Sequence, residues 1–172
     1  MSHRDIAYLL HLTDEAHLTN ATPITVKWVA SSKSAKDSLF DEVIHKEWDK
    51  EVIRGIVINR PSKEIQDRYG TRHTINLVIS LSRLELERHG NRLLYLDPNE
   101  KAVVEHPELY GRTRINPTYV FENPDQYGKF VDYYVVNIIH DGEFIDTEGN
   151  TIPVSYSILL TDEKVPTNGI NA

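Results

Sequence analysis

The amino-acid sequence predicts a mainly β protein, a small β-barrel or sandwich with one or two short helices and a long inserted loop. Three observations carry that expectation. Segments that alternate apolar and polar side chains recur along the chain, among them ITVKWVAS, TINLVISLS and TIPVSYSILL, and a period of two is that of a half-buried strand. Turn-forming clusters, DPNE, NPDQYG, HDG and TEGN, separate the later runs, as strand ends require. Helical spacing is confined to brief stretches that bring their own start or stop signals.

At the N-terminus, Ile6, Leu9, Leu10 and Leu12 recur at helical spacing behind Ser2 and Asp5, which predicts a short helix within an arm over 1–22. In 24–31, Ile24, Val26 and Trp28 oppose Thr25, Lys27 and Val29, and Pro23 suits the head of such a strand. Residues 31–51 are polar and charged yet carry Leu39, Phe40, Val43, Ile44 and Trp48. That spacing fits a helix, and equally a long loop pinned down by those side chains; loops of such length in compact domains usually serve a function. The strand expected over 51–61 sets Val52, Ile56 and Ile58 on one face, with Gly55 marking a bulge or a close backbone approach and Pro61 ending it.

In DRYGTRHTINLVISLSRLELERHGN (67–91), Ile75, Leu77, Ile79 and Leu81 share one face, and Thr74, Asn76 and Ser80 the other. The pattern switches at Ser82. SRLE fits a capping box, with the Ser82 hydroxyl accepting the Glu85 N–H and the Glu85 carboxylate reaching back to the Ser82 N–H. Gly90 stands where a helix ends on a left-handed residue. So brief a helix is unstable by itself in water, so Leu84 and Leu86 must pack it onto something, most simply the end of a barrel or sandwich. Residues 101–105, 117–122, 131–139 and 151–160 complete about seven strands. The last alternates Ile152, Val154, Tyr156, Ile158 and Leu160 against Ser155 and Ser157. No repeat and no domain boundary is visible, so 1–172 reads as one domain, with 161–172 expected as a flexible tail.

Composition narrows the function. A chain of 172 residues buries roughly two thirds of its unfolded surface as one domain. Cysteine is absent, which removes disulfides, thiolate nucleophiles and sulfur-bound zinc, and suits a reducing compartment. The apolar run Ile6–Leu10 is broken by His11 and by acids at 14 and 15, so no signal-peptide core is expected, and no run reaches membrane-spanning length. The expectation is a soluble protein with no membrane partner. Net charge is −7, from 26 acidic against 19 basic residues. This balance argues against tight wrapping of nucleic acid, which needs clustered Lys and Arg, yet allows DNA to slide past a repelling wall.

No motif specifies catalysis. His-Leu-Thr occurs at 11–13 and again at 17–19, but two-histidine phosphodiesterases place such motifs on separate strands that converge, and neighbours on one segment cannot face each other across a substrate. They read as surface histidines beside a short helix. The eight histidines show neither the H-x-x-x-H nor the H-x-H spacing of metal sites. DTEGN (146–150) alternates carboxylates like a calcium loop but lacks its closing Glu, Ser157 standing there instead; a hairpin turn explains it. Glycine-rich phosphate cradles and G-x-S-x-G are missing. No catalytic residue, cofactor ligand or metal ligand is therefore assigned. Tyr110, Tyr119, Tyr127, Tyr133, Tyr134 and Tyr156 crowd the last third, fitting either core packing or a protein interface.

The stretch from Lys36 to Asn91 resembles the neck proteins of tailed bacteriophages, the head-closure or stopper class of head-to-tail connector. The resemblance rests on Asp37, Leu39, Phe40 and Glu42 in a loop, on Tyr69 and Gly70, on Leu84, Glu85 and Gly90 around the short helix, and on Tyr119–Phe121, Asp125–Gly128 and YYVVNII in the closing strands. It covers roughly residues 37–140. LYLDPNE replaces the usual Gly-Asp, 101–116 is longer than the pattern, and 141–172 extends beyond it. What the resemblance implies is a non-enzymatic virion protein, made in the host cytoplasm, forming a homo-oligomeric ring below the portal and adaptor. Such a ring closes the DNA-filled head, lets double-stranded DNA pass its lumen without specific binding, and offers the tail a platform. Leu39, Phe40, Trp48, Tyr69 and Tyr127 are the expected subunit-interface residues. The alternatives from the residues alone are a small enzyme acting on a nucleotide or sugar, and a protein-binding regulatory module.

Overall fold

Six of the alternating strands pair in a closed ring, so that each has a neighbour on both sides. The computed structural model describes residues 2–29, 35–36, 43–45, 47–59, 61–70, 73–89, 93–95, 114–145, 147, 149 and 151–163. In chain order the elements are α1 (His3–Asn20), β1 (Thr22–Val29), β2 (Ala35–Lys36), β3 (Val43–His45), β4 (Trp48–Ile58), α2 (Lys63–Tyr69), β5 (Leu77–Ser82), α3 (Arg83–Arg88), β6 (Leu94–Tyr95), β7 (Arg114–Ile115), β8 (Val120–Pro124), β9 (Phe130–Ile145) and β10 (Thr151–Thr161). The protein is mainly β. An antiparallel barrel closes in the order β1-β4-β5-β10-β9-β8, with β8 returning to pair with β1. Two two-stranded sheets, β2 with β3 and β6 with β7, are separate from it in hydrogen bonding, and Leu94 and Ile115 of the second pack into the barrel core.

The inward faces follow the alternation except in β10, where register shifts lie on both sides of Ser155 and Ile152 and Val154, expected on the face of Tyr156, join a separate cluster with Ile6 and Leu10. Ile24 and Val26 of β1, Ile53 of β4, Leu77, Ile79 and Leu81 of β5, Phe121 of β8, Tyr133 of β9 and Tyr156, Ile158 and Leu160 of β10 form one core cluster. Each such side chain contributes about 1.5–3 kcal/mol on burial. On β4 the expected face of Val52, Ile56 and Ile58 is the outer one, Val52 and Ile58 being exposed while Ile53 is fully buried. Gly55 marks a close approach: a Cβ there would lie 2.7 Å from Leu81 Cδ2 and 3.1 Å from the Ser80 carbonyl oxygen. β1 pairs with β4 from Thr22↔Gly55 to Val29↔Trp48 with no register shift, so Gly55 is not a bulge.

Several expectations change. The 31–51 stretch is no helix where it is described, since Val43–His45 is a strand and Trp48 opens β4. Leu39, Phe40, Gly90 and the strand expected over 101–105 lie outside the described residues. Ile75 leaves the face it was given and joins Val78 and Leu159 in a second cluster, outside the barrel beneath Ile65 and Tyr69 of α2. Ile75 lies before β5, which begins at Leu77, and Gln66 brackets its backbone there: the side-chain N–H donates to the Ile75 carbonyl, and the side-chain oxygen accepts the Ile75 N–H at 3.2 Å. Thr161, expected to head the tail, closes β10, is fully buried, and donates to Asn76 at 3.3 Å.

The short helix α3 is a plug. Leu86 sits fully buried in the main core, while Leu84 packs against a third cluster of Ile6, Leu10, Ile152 and Val154. Ser82 accepts the Glu85 N–H as expected, at 3.2 Å. The reciprocal half of the box is absent, because Glu85 Oε1 accepts the Arg54 N–H at 3.0 Å instead. The complete capping box belongs to α1, between Ser2 and Asp5, and α1 runs for 18 residues rather than the short span expected. β9 and β10 pair from Ile145↔Thr151, and of the residues between them Thr147 and Gly149 are described, Thr147 in a turn and Gly149 in a bend at φ 85°.

Candidate assembly surface

Every barrel strand has a neighbour on each side, which leaves outward side chains and the elements laid on the outside as the main surfaces for contact with another chain. The first of these is α1. Ile6 and Leu10 anchor it on Ile152 and Val154. Further along, β5 turns Ser80 and Ser82 outward, in alternation with the inward Ile79 and Leu81, and α1 meets both hydroxyls. His17 Nδ1 lies 2.9 Å from the Thr13 carbonyl oxygen, which can only accept, so Nδ1 carries the proton. In the neutral ring Nε2 then accepts from Ser80 Oγ, at 3.0 Å. His17 is thus half-buried in this seam rather than a surface histidine, whereas His11 is exposed as expected.

Beside it, Ser82 Oγ donates to Asp14 Oδ1 at 2.6 Å, and Arg88 reaches from α3 to grip Asp14 with both guanidinium nitrogens. Arg88 also bonds Glu85 at 2.6 Å, and His89 lies between Glu85, at 3.1 Å, and Glu51, at 2.8 Å. Burial opposes ionisation of Asp14, but the Arg88 and Ser82 hydrogen bonds outweigh it and hold the carboxyl below its ordinary range. Glu85 behaves alike: burial pushes its pKa up, and His89, the Arg54 N–H and Arg88 bring it below normal. For Arg88 the Asp14 hydrogen bond is the largest influence and raises its pKa. The seam fixes α1 in rotation as well as position, leaving Tyr8 and Leu12, one turn apart, exposed on the opposite face.

The second outward surface is β4. Trp48 pairs with Val29 and is 39 % exposed, and Lys27 Nζ stands 5.4 Å from its ring centroid. Lys27 is itself held by Asp132 at 2.7 Å and Glu122 at 3.5 Å. Burial works against its charge, but those two carboxylates raise its pKa overall. The indole therefore lies on a fixed cation, with Val52 exposed further along the same face.

The third is the β8–β9 turn, at the other end of the barrel from Trp48. Asp125 Oδ1 accepts the N–H groups of Tyr127 at 2.8 Å and Lys129 at 3.0 Å. Backbone bonds from Asp125 N–H to the Lys129 carbonyl and from Gly128 N–H to the Asp125 carbonyl close the loop, with Gly128 at φ 81°. This braced tip holds Tyr127 84 % exposed and leaves Phe130 62 % exposed beside it.

Of the expected interface residues, Trp48 and Tyr127 are exposed at opposite ends of the barrel. Tyr69 is half-buried against Ile75, Val78 and Leu159, so it supports α2. Leu39 and Phe40 lie outside the described residues. The crowded tyrosines divide likewise. Tyr133 and Tyr156 are core, Tyr119 stacks on Trp28 at 5.3 Å, and Tyr127 alone among those described is mostly exposed. Sequence reading missed the Asp14–Arg88–Glu85 cluster; the i, i+3 spacing of Glu85 and Arg88 was its only visible sign.

No known protein family, curated protein or solved structure matches the chain. Among the described residues, no group of three or more His, Asp or Glu is placed to hold a metal ion, and no helix is long and apolar enough to cross a membrane.

Proposed function

We propose that the protein is a structural component of a tailed-phage neck, a ring subunit of the head-to-tail connector that closes the DNA-filled head and receives the tail. The observation that carries this reading is the braced β8–β9 tip, where an almost fully exposed Tyr127 and its neighbour Phe130 are held rigidly on a closed barrel. Exposed aromatics on a preorganised support bind with little ordering cost. Trp48 at the opposite end provides a second contact, and two different faces are what a head-to-tail ring or a stack of rings uses. The resemblance of 37–140 to neck proteins names the partners, a second copy of the chain with portal, adaptor and tail proteins. The net charge of −7 suits a lumen that DNA passes without sticking.

The test combines native mass with location. The wild-type chain is expected in purified virions of the phage that encodes it, and in assemblies larger than one chain when reconstituted with portal and adaptor. Tyr127→Ala with Phe130→Ala keeps the urea midpoint of the isolated chain and weakens assembly about 100-fold or more, each aromatic anchor being worth about 2 kcal/mol. Absence of the wild-type chain from particles, or full incorporation of the double variant, refutes the reading.

A further inference from the structure

Six strand termini meet at one end of the barrel: the starts of β1, β5 and β9 and the ends of β4, β8 and β10. They surround a half-open depression of about 850 Å³, within the ~300–1,000 Å³ of small-molecule sites. Its lining is unusually rich in carboxamides, with Asn20, Asn59, Asn76, Asn123 and Gln126 all facing it. Asp125, Asp162 and Tyr133 add two carboxylates and a phenol, while Val57 and Pro124 are its apolar members. No Lys, Arg or His is among the described residues that line it.

Much of this hydrogen-bonding capacity is unspent. Asn76 Oδ1 accepts from Thr161 Oγ1 at 3.3 Å and from the Asp162 N–H at 3.0 Å, but its NH₂ meets no acceptor among the described residues. Asn123 is only 8 % exposed; its NH₂ makes one long bond, 3.4 Å, to the Pro124 carbonyl, and its oxygen accepts nothing from them. The side chains of Asn20, Asn59 and Gln126 make no hydrogen bond among the described residues. Asn20, Asn59 and Gln126 are exposed, so these carboxamides are open to water and a ligand has to replace the water bonds it displaces. An apolar ligand would strip their water without replacing it. A phosphate or nucleic acid would face two carboxylates and no cation. A ligand that both donates and accepts at closely spaced, uncharged groups meets every requirement, since each carboxamide offers two donors and an acceptor and each hydroxyl offers a donor and two lone pairs.

We propose that the barrel mouth is a binding site for a neutral saccharide, its hydroxyls paired with the ring of carboxamides and the two carboxylates. It does not rest on the neck reading: Trp48 and Tyr127 lie outside the lining, although Asp125, which braces the Tyr127 tip, lies within it.

The experiment is a titration of the full chain, followed by its ¹H–¹⁵N side-chain amide resonances. The probes are D-glucose, D-galactose, N-acetyl-D-glucosamine, maltose and chitobiose, with calcium chloride, spermine and sodium phosphate run in parallel. At least one sugar is expected to shift the NH₂ signals of Asn59, Asn76, Asn123 and Gln126 together and saturably, with Kd of about 0.1–10 mM. Asn59→Ala and Gln126→Ala, which remove exposed side chains without structural bonds, should leave the backbone spectrum intact and weaken binding about fivefold or more each. If no sugar moves these signals by ~100 mM, far above that range, the proposal is overturned. Movement by calcium or spermine alone overturns it equally, in favour of a cation site.

Discussion

Arg88→Ala removes the cation that lies between two buried carboxylates and so tests how α1 is fixed. The side chains of Asp14 and Glu85 are 4 % and 5 % exposed, and that of Arg88 is 44 % exposed. Removing one partner of a fully buried pair costs about 3–5 kcal/mol; with the arginine close to half exposed and screened by water, about 2–3 kcal/mol is the working figure. Asp14→Asn, which keeps a bond to Ser82 but not the charge, costs about 1–2 kcal/mol. Because the residues touch, the double variant should cost less than the sum of the two, by about 0.5–3 kcal/mol. Urea unfolding followed by circular dichroism gives these values, and amide exchange in α1 shows whether the helix opens before the barrel.

The pH dependence gives a second, independent readout. Asp14 and Glu85 both have folded-state pKa values below normal. Their stabilisation is therefore complete above the unfolded carboxylate values, about 3.9–4.3, and is lost as pH falls through the lower folded values. In Arg88→Ala, burial still raises the Asp14 pKa while the Arg88 hydrogen bond and charge that lowered it are lost, so its folded-state value lies above the wild type's, acid penalises the variant less, and the gap narrows below about pH 4. A cost under about 0.5 kcal/mol, the level of an exposed pair, together with a wild-type pH profile in the variant, would refute the reasoning.

Leu86→Ala should destabilise the chain by about 2–5 kcal/mol, because Leu86 is fully buried where α3 plugs the barrel. Thermal unfolding checks it, and a loss below about 1 kcal/mol would mean that the plug collapses freely. Gly55→Ala sets a Cβ 2.7 Å from Leu81 Cδ2 and should cost about 1–3 kcal/mol by overpacking. Gly55→Ala combined with Leu81→Val is expected to recover part of that loss in urea midpoint; no recovery would place the clash on the Ser80 carbonyl instead.

What the chain declared by itself was its period. Alternation of two in Ile24–Val26–Trp28, Leu77–Ile79–Leu81 and Tyr156–Ile158–Leu160 identified inward faces correctly, because side-chain direction along a strand is a local property. The Ser82 start of α3 was legible for the same reason, being a contact across three residues. Closure of the barrel was not legible, since pairing of β8 with β1 and of β5 with β10 joins residues far apart in sequence. The same distance hid the α1 seam: Asp14 finds Ser82 and Arg88, and His17 finds Ser80, only after the barrel has set β5 beneath the helix. It also hid the barrel mouth, whose carboxamides come from separate stretches of chain and look, one at a time, like ordinary turn residues. Local periodicity determined which residues turn inward, and tertiary structure alone decided which polar groups met, because only the closed sheet brings distant strand ends within hydrogen-bonding reach.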